Sequence, residues 1–199
     1  MYYSRYGFLG SIRLVFSLIY TKFRHPQAKL IRLPFDIRNS KYIKIGEGFT
    51  SGFGCRIESF PIDRTSKLCI SFGKNVQIND YVHISSVGMV SIGNNVLMAS
   101  KIYISDHNHG SYTLELSDSP LIAPIDRQLV SNPVVIEDDV WIGESACILP
   151  GVTVGKGSII GAMSIVTKDI PANCIAVGNP ARVVKIYDFE SATWITVNK

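Results

Sequence analysis

From Ile136 onward an aliphatic residue recurs at every sixth position: Ile136, Ile142, Ile148, Val154, Ile160 and Val166. A small or β-branched residue follows four positions after each, as Val140, Ala146, Val152, Ser158, Ser164 and Ile170. Glycine directly follows three of the six, as Gly143, Gly155 and Gly161. Helices repeat at about 3.6 residues and half-buried strands at two, so a period of six belongs to neither. It predicts an all-β solenoid in which each hexad forms one short flat face of a coil. Traced backwards, the register runs through Ile92, Met98 and Ile104, through Phe72, Ile78 and Ile84, and weakly through Ile45, Ser51 and Ile57. Fifteen hexads result. The clusters Gly73-Lys74-Asn75, Gly93-Asn94-Asn95 and Gly155-Lys156-Gly157 fall where corners must turn tightly and a positive φ is needed.

The breaks in this register organise the chain. Two are modest: residues 58–71, and two extra residues between Ile84 and Ile92. The third is large, because Ile104 and Ile136 stand thirty-two residues apart where one hexad step would be six. An excursion of that length from a repeat array is usually functional or disordered. Its alternation of polar and apolar residues predicts an ordered loop, 105–133, that leaves one edge of the coil and opens with Asp106-His107-Asn108-His109-Gly110-Ser111-Tyr112. After Val166 the repeat ends in Thr167-Lys168-Asp169-Ile170-Pro171, and residues 174–185 close the coil. The expected organisation is an N-terminal segment 1–40, a solenoid domain 41–186 and a tail 187–199 packed outside through Trp194.

Composition excludes global disorder, since charged residues are 18% and hydrophobic ones 46%. Charge is unevenly spread. Residues 1–60 carry ten Lys/Arg against three Asp/Glu, and residues 61–199 carry ten against thirteen. The stretch from Phe8 to Tyr20 is apolar but too short to span a bilayer, which takes roughly 20 residues. Arg13 interrupts it, and no small-residue cleavage site follows. A helix is expected there, packed on one end of the solenoid or on a neighbouring subunit. The alternative is a helix resting on an anionic membrane surface, flanked by Arg5, Arg13, Lys22 and Arg24. Cys55, Cys69, Cys147 and Cys174 are widely spaced with no CxxC, as for buried thiols in a reducing compartment. The expected location is cytoplasmic, with peripheral contact to the inner membrane as the variant, and nucleic acid is not an expected partner.

The blocks Val140-Trp141-Ile142-Gly143, Ile148-Leu149-Pro150-Gly151-Val152-Thr153-Val154-Gly155, Val166-Thr167-Lys168-Asp169-Ile170-Pro171 and Val177-Gly178-Asn179-Pro180-Ala181-Arg182 closely resemble the hexapeptide-repeat acyltransferases. Within them the chain is most similar to the maltose/galactoside O-acetyltransferase group and its bacterial surface-polysaccharide members, over roughly residues 72–186. The resemblance implies a left-handed parallel β-helix of about five three-faced coils, a homotrimer, and acetyl-CoA held in clefts between subunits. Right-handed crossovers are the rule for parallel strands, so the handedness comes from the resemblance alone.

The same resemblance places the catalytic histidine at the start of the interrupting loop, which is His107. A sugar hydroxyl is a weak nucleophile near neutral pH, and a base that titrates there can take its proton during attack on the thioester. Direct transfer needs no acyl-enzyme. His109 is the alternative base, and Asp106, Glu115 or a backbone carbonyl would orient the imidazole. His83 and Asn79 are candidate donors to the tetrahedral intermediate. Asn79, Asp106 and Tyr112 are expected beside the acceptor. For the donor, the resemblance implies Trp141, Gly143, Ala162, Thr167 and Lys168, with Arg182 and Lys185 at the phosphates. Lys185 stands where an arginine is common, and an ammonium gives a point charge rather than a two-pronged contact. Glu144 departs from the small hydroxyl residue of some relatives.

These readings point to transfer of acetyl from acetyl-CoA to a saccharide hydroxyl, with a glycan or lipid-linked glycan as acceptor and no metal required. N-acetylation of an amino sugar is the runner-up, because the fold alone does not choose the acceptor. Two other classes are set against it. One is a zinc hydratase using His83, His107 and His109. The other is a non-enzymatic solenoid, which would want a threonine ladder that the chain lacks.

Overall fold

In the computed structural model the six-residue register becomes three stacks of side chains. The structure describes residues 2–62 and 68–197. Short parallel strands form three sheets, and the chain visits them in fixed rotation. In the first sheet Ile31, Ser51, Ile78, Met98, Ile142, Ile160 and Ala176 lie each opposite the next. In the second the series is Ile37, Ile57, Ile84, Ile104, Ile148 and Val166. In the third it is Phe72, Ile92, Ile136 and Val154, with Ile170 bridged to Val154. Lys44 opposite Ser71 brings Ile45 into line with Phe72. Apart from the half-buried Ile37 and the polar Ser51, these side chains make up most of one continuous core. Ser51 is buried too, and its Oγ accepts the Arg32 N–H at 3.3 Å.

All fifteen positions of the sequence register fall in these stacks. The second sheet nevertheless holds six strands, one more than five coils would give. Ile31 and Ile37 belong to an earlier turn that the period misses, because eight residues separate Ile37 from Ile45. At the other end only four separate Val166 from Ile170.

The corners have a rule of their own. A left-handed residue stands three positions after most stack members: Asn75 (φ 55°), Tyr81 (φ 58°), Asn95 (φ 56°), Lys101 (φ 58°), Ser145 (φ 58°), Gly157 (φ 67°) and Met163 (φ 59°). So the positive φ falls on the third residue of each Gly cluster read from the sequence. The first residue is glycine for another reason. A Cβ on Gly73 would stand 2.6 Å from the backbone of Gly93 in the next turn.

The two ends of the stack are covered differently. Helix α1 (Tyr2–Arg24), kinked at Gly7 (φ 66°), lies over the open edge of the first strand, Leu30–Ile31. Thr21 Oγ1 accepts the Ile31 N–H at 2.8 Å and Ser17 Oγ accepts the Leu33 N–H at 3.0 Å. Edge N–H groups that would otherwise seek another strand are thereby satisfied. At the far end Arg182–Asp188 adds antiparallel to Cys174–Val177, and Thr193–Thr196 adds to it in turn. Trp194 packs edge-on against Tyr187 with ring centres 5.2 Å apart. The strand Arg182–Asp188 thus runs through residue 186, where the sequence divides domain from tail.

The 105–133 excursion is ordered. Its stem is an antiparallel ribbon, His107–His109 with Leu129–Ser131. Arg127 ties the tip by donating to the Ile122 carbonyl and to the Tyr112 hydroxyl. Within the earlier interruption at 58–71, residues 63–67 lie outside the described residues, as does the side chain of Arg5.

Candidate active site

The strand Tyr103–Ser105 ends at the corner where the chain leaves the solenoid, and Asp106 occupies that corner with 0% exposure. Its carboxylate accepts the backbone N–H of Val87 (3.0 Å), Gly88 (2.8 Å) and Met89 (2.7 Å). The Ser86 hydroxyl donates to it at 2.8 Å and the Ser131 hydroxyl at 3.3 Å. Val87, Gly88 and Met89 lie in the step from Ile84 to Ile92, which is two residues longer than a hexad. The small break in the previous turn therefore builds the cradle for the residue at the large one. A Cβ on Gly88 would stand 2.2 Å from Ser131 Oγ and would push that hydroxyl off Asp106.

Burial by itself pushes the Asp106 carboxyl up. The bonds from His107, Val87 N–H, Ser86 and Gly88 N–H together outweigh it and hold the group at about 2. Asp106 is thus a carboxylate, which only accepts. His107 Nδ1 stands 3.0 Å from Asp106 Oδ1 and 3.2 Å from Ser105 Oγ. A carboxylate only accepts, so Nδ1–H is donated to Asp106, and in the neutral imidazole Nε2 is the nitrogen that carries the lone pair. The His107 side chain is 15% exposed.

The other predicted residues are placed as follows. His109 is exposed on the same ribbon, two residues on and paired with Leu129. Its carbonyl accepts the Tyr112 hydroxyl, so Tyr112 braces the ribbon. Glu115 is exposed in the tip. His83 lies in the second sheet opposite Tyr103, with ring centres 5.3 Å apart. Arg56 Nη2 stands 3.2 Å from His83 Nδ1, and Glu58 Oε1 3.0 Å from Nε2. Arginine only donates, so Nδ1 accepts and Nε2–H is given to Glu58. Both ring nitrogens of His83 are committed. Asn79 stands at the corner between the first and second sheets, where its side chain accepts from Gln77 at 3.4 Å. His25 packs against Tyr20 at the end of α1. Among the described residues no three His, Cys, Asp or Glu side chains lie together so as to hold a metal ion.

The residues expected at the donor fall on both borders of the second sheet and in the first sheet beside it. Because Ile104, Ile148 and Val166 are stacked, Thr167 and Lys168 continue the corner column of Ser105 and Asp106 two strands further on. Strand spacing makes that about 10 Å. Trp141, half exposed, lies in the first sheet between Leu97 and Ile159, and at the corner that follows Gly143 packs so closely that a Cβ would meet the Ala162 N at 2.6 Å. Residues 178–181 run along the open edge of Ile165–Val166, with Ile165 N–H donating to the Gly178 carbonyl and Ala181 N–H to the Ile165 carbonyl. This sets Arg182 and Lys185 at the end of the stack. Neither they nor Lys168 form an ion pair among the described residues, so all three cations can meet phosphate.

Sequence reasoning missed Ser105, Glu58 and the cradle at Val87–Met89. Only the two extra residues before Ile92 marked the cradle in the sequence, and nothing in it paired them with Asp106.

Residues 133–168 match the family described as bacterial transferase hexapeptide, six repeats. The Escherichia coli K12 protein WbbJ, provisionally named a lipopolysaccharide biosynthesis O-acetyl transferase, is 44% identical over 191 residues, covering 96% of this chain and 95% of that protein. The chain belongs to the hexapeptide-repeat acyltransferases. The galactoside O-acetyltransferase of the same bacterium is 40% identical over 58% of this chain and 53% of its own length. Among solved structures, AntD of Bacillus cereus, an N-acyltransferase crystallised with dTDP-4-amino-4,6-dideoxyglucose and coenzyme A, superposes with a TM-score of 0.66. It is 23% identical and covers 82% of this chain and 84% of its own. At that identity it speaks for the fold of a hexapeptide acyltransferase and not for the acceptor.

Proposed function

We propose that this protein transfers acetyl from acetyl-CoA to a saccharide hydroxyl in the building of surface polysaccharide or lipopolysaccharide. His107 is the general base and transfer is direct. The observation that carries this reading is the Asp106–His107 pair, in which a buried carboxylate takes the Nδ1–H and leaves Nε2 as the nitrogen that can act as base. Nε2 takes the hydroxyl proton as the sugar oxygen attacks the thioester carbonyl. On collapse the proton passes to the departing coenzyme A thiolate. WbbJ, similar along almost the whole chain, supports the acceptor class.

Trp141, Gly143 and Ala162 line one border of the donor site, Thr167 and Lys168 the other, and Arg182 and Lys185 take phosphates. The coils wind left-handed and three chains associate, so that the two borders of the second sheet are completed by neighbouring subunits. His109 and Tyr112 face the acceptor through the ribbon.

The test incubates the purified protein with acetyl-CoA and a panel of cell-surface glycans and amino sugars, read by mass spectrometry. Acetyl esters on a glycan, lost in His107→Ala, are the expected result. Product only on amino sugars, as an amide stable to mild base, would move the reading to N-acetylation. Full transfer by His107→Ala would overturn the assignment of the base.

A further inference from the structure

Helix α1 is built inside out. Its polar pair, Ser17 and Thr21, is buried against the first strand, where it satisfies the N–H groups of Ile31 and Leu33. The opposite side carries Phe8, Ile12, Val15, Phe16, Ile19 and Phe23, all exposed, from 39% at Ile12 to 81% at Phe23. Spacings of three and four residues put those six on one face. Beside it an apolar groove of about 230 Å³ lies between α1 and Leu30. Apolar side chains are exposed elsewhere too, as Leu114, Leu121 and Ile125 in the excursion, but six on one helix face make a contiguous apolar surface, which marks a contact with something apolar.

Charge identifies what that is. Arg13 and Lys22 lie on the two borders of the apolar face, and Arg24 and Lys29 follow at its end, all exposed. Among residues 1–35 there are six Lys/Arg and no Asp or Glu, the first acid being Asp36. A second copy of the same basic segment would meet this face with like charge. The headgroups of an anionic bilayer would meet it with opposite charge. No helix among the described residues is long and apolar enough to cross a membrane. The helix lies on the surface.

The geometry points to α1 as a membrane-surface helix that seats the end of the solenoid on an anionic bilayer. It covers the terminal edge of the stack, so its outward face looks away from the coils. His107 follows the fourth strand of the second sheet, three strand spacings from the first, or about 14 Å along the stack. A glycan carried on a lipid would reach it from the same surface. That last link rests on the saccharide reading above; the seating of α1 does not.

The full chain is mixed with vesicles of phosphatidylcholine alone or with added phosphatidylglycerol and separated by flotation. Flotation with the anionic vesicles only, weakened by salt, is expected. Phe16→Ser with Phe23→Ser should bind at least about tenfold more weakly. Lys22→Glu with Arg24→Glu should lose about tenfold or more. Both double variants should keep the native mass and melting temperature, because the altered side chains are exposed. Three results would overturn the proposal: no flotation of the wild type, equal binding to neutral vesicles, or a Phe16→Ser/Phe23→Ser protein that still floats but changes its oligomeric mass. The last would make the face a subunit interface. Loss of glycan transfer with flotation intact would count against the saccharide reading alone.

Discussion

Asp106 Oδ1 lies 3.0 Å from His107 Nδ1, and the backbone of Val87, Gly88 and Met89 holds that carboxylate from the turn before. Two residues adjacent in sequence thus act together because a third segment fixes one of them. Replacing Asp106 by asparagine leaves one acceptor oxygen where the carboxylate had two, so its NH2 must face either the Val87 N–H and His107 Nδ1–H or the Gly88 and Met89 N–H groups. Transfer should fall about 10²-fold in kcat, with little change in acetyl-CoA affinity. His107→Ala should fall by about 10²–10⁴. Steady-state rates with coenzyme binding measured alongside check both, and an unchanged kcat in Asp106→Asn would remove its positioning role.

The same carboxylate should make stability depend on pH. Its folded value, about 2, lies below the unfolded value of 3.8. The stabilisation is therefore complete above about pH 4 and fades as pH falls toward 2, amounting to about 2 kcal/mol. Denaturant unfolding of wild type and Asp106→Asn from neutral to acid pH should show the gap between them closing over that window. A constant gap would contradict it.

His83 offers a contrast with His107. Since both its nitrogens are taken by Arg56 and Glu58, it ties neighbouring strands together and has no free nitrogen to offer a substrate. His83→Phe keeps a ring against Tyr103. It should cost less than about tenfold in kcat while lowering stability by about 1 kcal/mol. A loss as large as that of His107→Ala would return His83 to the chemistry.

At Gly143 packing alone makes a prediction. Gly143→Ala brings a Cβ within 2.6 Å of the Ala162 N and 2.9 Å of the Ile160 carbonyl oxygen, both backbone atoms that cannot swing aside. Unfolding without any coenzyme should show a loss of about 1–3 kcal/mol. A variant of wild-type stability and weak coenzyme binding would instead make the glycine a purely ligand-facing residue.

Much of the scaffold was legible because the hexad is a local code. An aliphatic side chain every six residues says which atoms point inward, and a left-handed residue three places on says where the chain turns. The earlier turn through Ile31 and Ile37 was not legible. An eight-residue step breaks the period, and only pairing with Ser51 and Ile57 restores it. His107 was singled out by the family resemblance, which puts a histidine at the break. Its relation to the cradle was not legible, for that depends on which segment lies in the turn below.

The sequence by itself determined the three stacks and the place of the ordered excursion, because both are written in spacing along the chain; the choice of His107 came from the family resemblance. Tertiary structure decided the neighbours of that histidine. Stacking brings Val87–Met89 beneath Asp106, buries its charge and leaves one imidazole nitrogen open. It also decided that α1 turns serine and threonine inward and phenylalanine outward. A strand edge with unpaired N–H groups needs acceptors more than it needs apolar cover.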